Sequence, residues 1–273
     1  MSEEFSAKTY LRDIQPPFCA GCGAFTVSNT FLRAVHEMGH EDLHKFVFCS
    51  GIGCSSWIPS PHFKADTLHV THGRSIPVAA GVKLMRPDLN VVVFGGDGDI
   101  VGIGLSHLIH AARRNLDVTV VMVNNMIYGM TGGQVAPTTP FKTPTTTTPY
   151  GSFERPLDAV KLAIAAGACY VARWTTMHTA LLKESFKTAV NTKGFAFIEV
   201  ISQCPTAFGR RVGFKDAGAM LQWFKANSVA VEEAKRLSED ELAGKIVVGE
   251  FVKKEAPSLT ETIYAVLREA QKK

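Results

Sequence analysis

No stretch of this chain is apolar for long enough to cross a membrane. The most apolar window, residues 91–112, is interrupted by Asp97, Asp99 and five glycines, and a hydrocarbon span tolerates no polar group that is not satisfied internally. The first twenty residues, MSEEFSAKTYLRDIQPPFCA, hold acidic groups and no run of signal-peptide length, so a cytoplasmic location is expected. Charge of one sign is also missing. The 29 basic and 25 acidic residues leave a net charge of +4 over 273 residues, too little and too evenly spread for nucleic acid, and at most a local basic face for an acidic partner. Nothing in the composition indicates disorder, and there is no internal repeat. With 46% apolar and 20% charged residues, the chain suits one large α/β domain, or a domain with an appendage. In a reducing compartment, its six cysteines read as ligands or buried thiols rather than disulfides.

What is present is a rhythm. Short β-branched runs at residues 45–49, 67–70, 90–94, 118–123 and 195–201 alternate with amphipathic stretches at 24–38, 75–85, 102–114, 157–166 and 178–191. That alternation predicts an α/β fold with a doubly wound, mostly parallel sheet. The strands are apolar on both faces, and such sheets bind ligands beyond the carboxyl ends of their strands. Residues 135–156, rich in Thr and Pro, are too long for a routine connector; they read as an ordered functional loop anchored by Phe141, Tyr150 and Phe153. From Pro205 the pattern changes to a charged helix over 216–237, a short strand at 245–248 and a last helix over 259–269. The expected division is a cofactor-binding domain at 1–204 and a C-terminal extension at 205–273 that docks on the core or on a partner.

The strand at 91–94 runs into Gly95-Gly96-Asp97-Gly98-Asp99 and then a helix, so glycines sit where backbone must approach a ligand closely. The next strand ends in Asn124-Asn125, 28 residues after Asp97. A carboxylate, an amide oxygen, a nearby backbone carbonyl and two diphosphate oxygens complete an octahedral magnesium shell with one water. A nicotinamide site fits poorly, because GDGDIVG has Val101 where the third glycine would stand. This spacing resembles that of thiamine diphosphate enzymes, GDG followed after about thirty residues by NN. The resemblance implies that Asp97, Asn125 and the carbonyl of Ile127 hold the metal, that Gly98 and Asp99 lie against the diphosphate, and that Gly129 and Met130 lie beside the thiazolium.

Cys19 and Cys22 stand two residues apart among small residues, a geometry that chelates one metal or part of an iron–sulfur cluster. A zinc ribbon wants a second such pair or paired histidines. Cys49, Cys54, Cys169 and Cys204 offer none, and single ligands from distant loops suit a 4Fe-4S cubane at least as well. Cys49 and Cys169 fall in strand-like apolar runs and read as buried thiols. Cys54 and Cys204 fall in loops and are the better ligands.

Together FCAGCG, SGIGCSS, THGRSIPVAAGVK, GGDGD, NNMIYGMTGGQ and QCPT resemble the beta subunit of 2-oxoacid:ferredoxin oxidoreductases over essentially the whole chain. The resemblance implies that Cys19, Cys22, Cys54 and Cys204 hold a 4Fe-4S cluster. Ile52, Gly53, Cys54 and Ser55 would contact thiamine, with His72 and Met130 at the catalytic centre. An isolated histidine at a strand end is more often an ordinary hydrogen-bonded group; the adjoining Gly73-Arg74 and the family match favour the functional reading. The implied activity is coenzyme A-dependent oxidative decarboxylation of a 2-oxoacid with electrons passed to ferredoxin, or the reverse. An alpha subunit in an alpha-beta or alpha2-beta2 assembly would supply the thiamine-activating Glu and much of the substrate pocket. YGMTGGQ stands nearest to the 2-oxoglutarate branch, with pyruvate or a broad 2-oxoacid range as the alternative. Some relatives carry a basic residue three positions after the third cysteine, where this chain has Trp57. Two other classes remain open: a non-redox thiamine decarboxylase or synthase subunit, and a zinc-bound scaffold.

Overall fold

A computed structural model describes residues 4–272. Eight strands form one sheet: β1 (Phe46–Ser50), β2 (Asp66–His69), β3 (Asn90–Gly96), β4 (Thr119–Asn124), β5 (Tyr170–Thr175), β6 (Ala196–Ile201), β7 (Ser228–Ala230) and β8 (Ile246–Lys253). Their order across the sheet is β2-β1-β3-β4-β6-β5-β8-β7. The first six run parallel. Only β8 runs against its neighbour β5, and β7 pairs with β8 in parallel. The expected doubly wound, mostly parallel sheet is thus the observed one. Among the described residues no helix is long and apolar enough to cross a membrane.

The helices are α1 (Ala7–Tyr10), α2 (Gly23–Glu37), α3 (Ser75–Met85), α4 (Leu105–Arg113), α5 (Ala159–Ala165), α6 (Thr179–Asn191), α7 (Ala217–Asn227), α8 (Val231–Ala234), α9 (Glu239–Leu242) and α10 (Leu259–Ala270). Because successive strand residues point to opposite faces, the sheet is sealed on both sides by two distinct cores. On one face Phe31 of α2 meets Phe94, Phe186 and Phe48 at ring-centroid distances of 5.2, 5.3 and 5.8 Å. On the other, Val91 and Val93 pack with Leu108, Met122 and Phe197.

Three local expectations are corrected. The helix expected over 216–237 stops at Asn227, and β7 intervenes before α8. There the hydroxyl of Ser228 donates to the carbonyl of Phe224 at 2.7 Å, and the extended backbone that follows finds its partner in β8. The strand expected at 245–248 continues to Lys253. The loop at 135–156 is not anchored by its aromatic residues, since Phe141, Tyr150 and Phe153 are 52%, 92% and 77% exposed. Its buried polar groups are Thr138, Thr139, Thr143, Thr145 and Ser152; the hydroxyls of Thr138, Thr139 and Thr145 all have hydrogen-bond partners. Thr139 donates to the carbonyl of Met126 at 2.7 Å.

The chain beyond residue 204 is joined to the preceding core by the β5–β8 pairing and by Asn115, which takes the left-handed conformation at φ 50°. Its amide nitrogen donates to the carbonyls of Ala256 and Pro257 at 3.2 and 2.9 Å. Its amide oxygen accepts from the Phe195 N–H at 2.9 Å and the Cys169 thiol at 3.1 Å. Asn115→Ala removes all four contacts and is expected to cost about 2–4 kcal/mol, a fall in Tm of roughly 5–15 °C for a chain of this size. Thermal melting followed by circular dichroism checks this, and an unchanged Tm would show that the β5–β8 pairing holds the tail without these bonds.

Candidate functional site

Four neighbouring strands end on one edge, and each delivers one part of the site. β1 leads into residues 51–55, β3 into Asp97, β4 into Asn125, and β6 into Cys204. One cavity on that edge is lined by Ile52, Gly53, Cys54, Ser55, His72, Asn125, residues 96–99 and residues 127–131. It therefore gathers every residue expected to touch thiamine or magnesium, together with Cys54. A separate hollow of about 310 Å³ lies under the N-terminal arm, lined largely by apolar groups such as Leu11, Ile14, Phe18 and Phe25. Lacking any carboxylate, it offers no comparable chemistry.

Asp97 is 2% exposed. Burial pushes its carboxyl up to about 7, the charge of Glu199 adds to the rise, and the Thr138 hydroxyl and backbone N–H groups oppose it. The side-chain oxygen of Asn125 accepts from the Ile127 N–H at 3.2 Å, which turns that residue's backbone toward the same edge. Tyr128 lies across the glycine turn, its hydroxyl donating to the carbonyl of Gly98 at 3.3 Å. A Cβ at Gly98 would stand 2.1 Å from the Tyr128 ring, so only glycine permits this approach. The turn continues as a π-helix over Gly98–Ile103, where the sequence predicts an α-helix starting at 102. One carboxylate, one amide oxygen and one carbonyl form a hard oxygen set of the kind magnesium takes together with phosphate oxygens.

Asp99 lines the cavity, and its carboxylate serves the surrounding loops. One oxygen accepts from the Gly73 N–H at 2.6 Å and the Ile52 N–H at 3.3 Å, and His72 Nδ1 stands 3.3 Å from it. A Cβ at Gly51 would lie 2.2 Å from the carboxylate oxygens. Burial raises the Asp99 pKa, and the two amides and the neighbouring histidines His72 and His69 counter that rise. The loop after β1, the loop after β2 and the turn after β3 are thus clasped by one side chain.

All six cysteines are free thiols. Cys49 and Cys169 are buried, as expected, and burial pushes Cys49 up to about 12. Cys19, Cys22, Cys54 and Cys204 are electrostatic neighbours: burial first, and then the charges of Cys204 and Cys19, lift Cys22 to about 11, and burial with the charges of Cys22, Cys204 and Cys19 lifts Cys54 to about 12; Cys204 is raised by burial and by Cys19. Backbone N–H groups of Ala24 act on Cys22, and those of Phe208 and Ala207 on Cys204, in the opposite sense. A set of thiols that repel one another when ionised is a set that a cationic iron–sulfur or metal group would stabilise. Among the described residues no three His, Cys, Asp or Glu side chains meet at one ion-sized point. Tetrahedral zinc needs that convergence, whereas a cubane is wider. The Cys19–Cys22 turn is brought in by close packing. Gly23 donates its N–H to the carbonyl of Gln203 at 3.1 Å, and the position of a Cβ on Gly21 lies 2.6 Å from Ala217.

The two ligand sets meet at Gly129. A Cβ built there would stand 3.7 Å from the sulfurs of both Cys54 and Cys204 and 3.5 Å from the Asn125 amide nitrogen. Three polar residues of the site's surroundings escape sequence reasoning, Thr138, Glu199 and Arg173, and the separate role of Asn124 within its motif escapes it too. For two of them a signal exists. Glu199 and Arg173 are the lone charges in the apolar strands β6 and β5, of opposite sign, and they stand directly opposite each other in register.

Residues 51–200 match the family model described as thiamine pyrophosphate enzyme, C-terminal TPP binding domain. The chain is 51% identical over 263 residues to the 2-oxoglutarate synthase subunit KorB of Methanocaldococcus jannaschii, covering 96% of this chain and 97% of that protein. It is 48% identical over 262 residues to the subunit of the same name from Methanothermobacter marburgensis, covering 95% and 91%. Among solved structures it is similar to the 2-oxoglutarate:ferredoxin oxidoreductase from Magnetococcus marinus with 2-oxoglutarate, coenzyme A and succinyl-CoA bound. That likeness has a TM-score of 0.87 at 34% identity, over 98% of this chain and 92% of that one.

The Asp99 clasp predicts a graded response. Asp99→Ala strands the Gly73 and Ile52 amides and should cost about 2–4 kcal/mol, while Asp99→Asn keeps an acceptor and should cost less than half as much. Scanning calorimetry of both variants checks this; equal losses would mean that the carboxylate's shape, not its hydrogen bonds, is what matters.

Proposed function

The chain belongs to the beta-subunit family of 2-oxoacid:ferredoxin oxidoreductases, and we propose that it is the cofactor-binding half of a 2-oxoglutarate:ferredoxin oxidoreductase. As a family member it is one subunit of a thiamine-diphosphate-dependent, hetero-oligomeric enzyme. The observation that carries the fuller reading is Gly129, whose Cβ position has the sulfurs of Cys54 and Cys204 within 3.7 Å and the amide of Asn125 within 3.5 Å. One backbone segment is then common to a magnesium-type oxygen set and a thiolate set. That is the arrangement expected of a site where electrons leave a decarboxylated adduct for an iron–sulfur cluster.

In this reading Asp97, Asn125 and the Ile127 carbonyl hold magnesium, and Gly98 and Asp99 border the diphosphate. Ile52, Gly53, Cys54, Ser55, His72, Gly129 and Met130 surround the thiamine rings, and Cys19, Cys22, Cys54 and Cys204 hold a 4Fe-4S cluster. Bound thiamine diphosphate supplies the electron sink for loss of CO₂ from a 2-oxoacid. The chain's own residues do the rest. Asp99 keeps the loops carrying Ile52 and Gly73 closed on each other, Gly98 lets backbone approach the ligand, and the amides near Cys22 and Cys204 tune the sulfurs. Thiolate ligation of a cluster also favours a reducing, cytoplasmic setting.

The cavity needs a partner. Its lining contains two carboxylates, Asp97 and Asp99, and no glutamate, so in this reading the glutamate that assists thiamine belongs to the alpha subunit. Ile52 and Met130, 39% and 48% exposed at the mouth, are the apolar surface such a subunit would cover. The names of the relatives favour 2-oxoglutarate, with succinyl-CoA as product and ferredoxin as electron acceptor. One observation supports a second reading, pyruvate or a broad range of 2-oxoacids: no lysine or arginine lines the cavity to meet a distal carboxylate.

Anaerobic co-expression with the alpha subunit tests these readings together. The expected complex carries about four iron and four acid-labile sulfide per copy of this chain, retains thiamine diphosphate, and reduces a viologen with 2-oxoglutarate and coenzyme A faster than with pyruvate. This chain alone should be inactive, and Cys54→Ala should lose the iron. Zinc in place of iron would refute the cluster reading, and turnover by the single chain would refute the need for a partner.

A further inference from the structure

The magnesium reading of Asp97 leaves a question of orientation, because a buried carboxylate presents the right oxygen to a metal only if its other oxygen is held. We propose that Thr138 is the positioning residue for Asp97 and that the loop at 135–156 exists in part to deliver its hydroxyl. This inference rests on the magnesium reading above and adds a residue to it.

The Thr138 side chain is 6% exposed, and its hydroxyl lies between two acceptors, the Asp97 carboxylate and the side-chain oxygen of Asn124, the latter at 3.0 Å. A hydroxyl has one hydrogen to give, so which acceptor takes it depends on whether Asn124 can turn. It cannot. The Asn124 oxygen already accepts from the Met126 N–H at 2.9 Å, and its nitrogen donates to Glu199 at 2.7 Å. Glu199 is 2% exposed and accepts in turn from Arg173 at 2.5 Å, while the far side of that guanidinium reaches Asp158 at 2.5 Å. Each group in this line has one arrangement that satisfies it. Asn124 is therefore a fixed acceptor, and an Asp97 that holds a metal, being ionised and the stronger acceptor, would draw the Thr138 hydrogen.

The consequence is directional. With one oxygen of Asp97 engaged by Thr138, the other is left to face the cavity, where Asn125 and Ile127 stand. Groups in this position beside a metal ligand are commonly worth 10–100-fold in metal affinity. The role belongs to the hydroxyl, not to the bulk of the side chain, and that separates it from mere packing.

The test uses the complex with the alpha subunit, titrated with Mg²⁺ in the presence of excess thiamine diphosphate and followed by isothermal calorimetry. Thr138→Val, which keeps the shape and removes the hydroxyl, should raise the apparent Kd for Mg²⁺ by about 10-fold or more. Thr138→Ser, which keeps the hydroxyl, should stay within about threefold of the unsubstituted complex, by the same reckoning. Circular dichroism melting of both variants guards against unfolding. Unchanged Mg²⁺ affinity in Thr138→Val overturns the inference, as does equal weakening in Val and Ser variants that remain folded. If the unsubstituted complex binds thiamine diphosphate without any need for Mg²⁺, the magnesium reading fails and takes this inference with it.

Discussion

A carboxylate sealed at the end of a central strand is the constraint on which the rest of this site depends. Asp97 is 2% exposed, and a buried acid without compensation costs several kcal/mol. The chain compensates it locally through Thr138, which sits in a loop that also buries Thr139, Thr143 and Thr145. The Asn124 beside it is held by Glu199, a second buried acid, and Glu199 requires Arg173, which is itself capped by Asp158 at the start of α5. One acid at a strand end thus dictates polar residues in three further strands and one loop. Removing a single member of such a chain leaves an unmatched partner, so the network behaves as a unit.

How far the sequence anticipates this arrangement depends on whether a feature is periodic. The apolar strands and the amphipathic helices were legible because burial on two faces imposes β-branched runs; α3 was expected at 75–85 and is found at Ser75–Met85. The turns at Cys54–Trp57 and Gly98–Ile103 were not. Their geometry arises from close contacts such as Tyr128 against Gly98, which leave no period in the sequence. The aromatic residues of the 135–156 loop misled for a related reason: bulk implies burial on average, yet this loop buries its hydroxyls and leaves Tyr150 at 92% exposure.

The adjacent pair Asn124-Asn125 shows where motif reading stops. As neighbours at the end of β4 they point to opposite sides. Asn125 lines the cavity, whereas Asn124 faces Glu199 and fixes the interior. A pattern identifies both residues at once and says nothing of this division of work, which appears only when the hydrogen bonds of each amide are followed to their ends. Thr138 is less visible still, since it is one threonine among many in its loop and only its position against Asp97 distinguishes it.

Close approach explains why the site is incomplete on one chain. Gly51 and Gly98 each admit a neighbour that a side chain would exclude, so the backbone is drawn tight around the place where a diphosphate is proposed to lie. Tightness of that kind uses up polar side chains in holding loops: Asp99 is committed to Gly73 and Ile52, and Asp97 to Thr138. The acids of the lining are two aspartates with no glutamate among them, and no lysine or arginine is there to meet a second substrate charge. This lining fits the proposal that proton chemistry and selectivity are supplied by a surface laid over the cavity mouth. The proposed dependence on another subunit is thus in keeping with the burial that shapes the site.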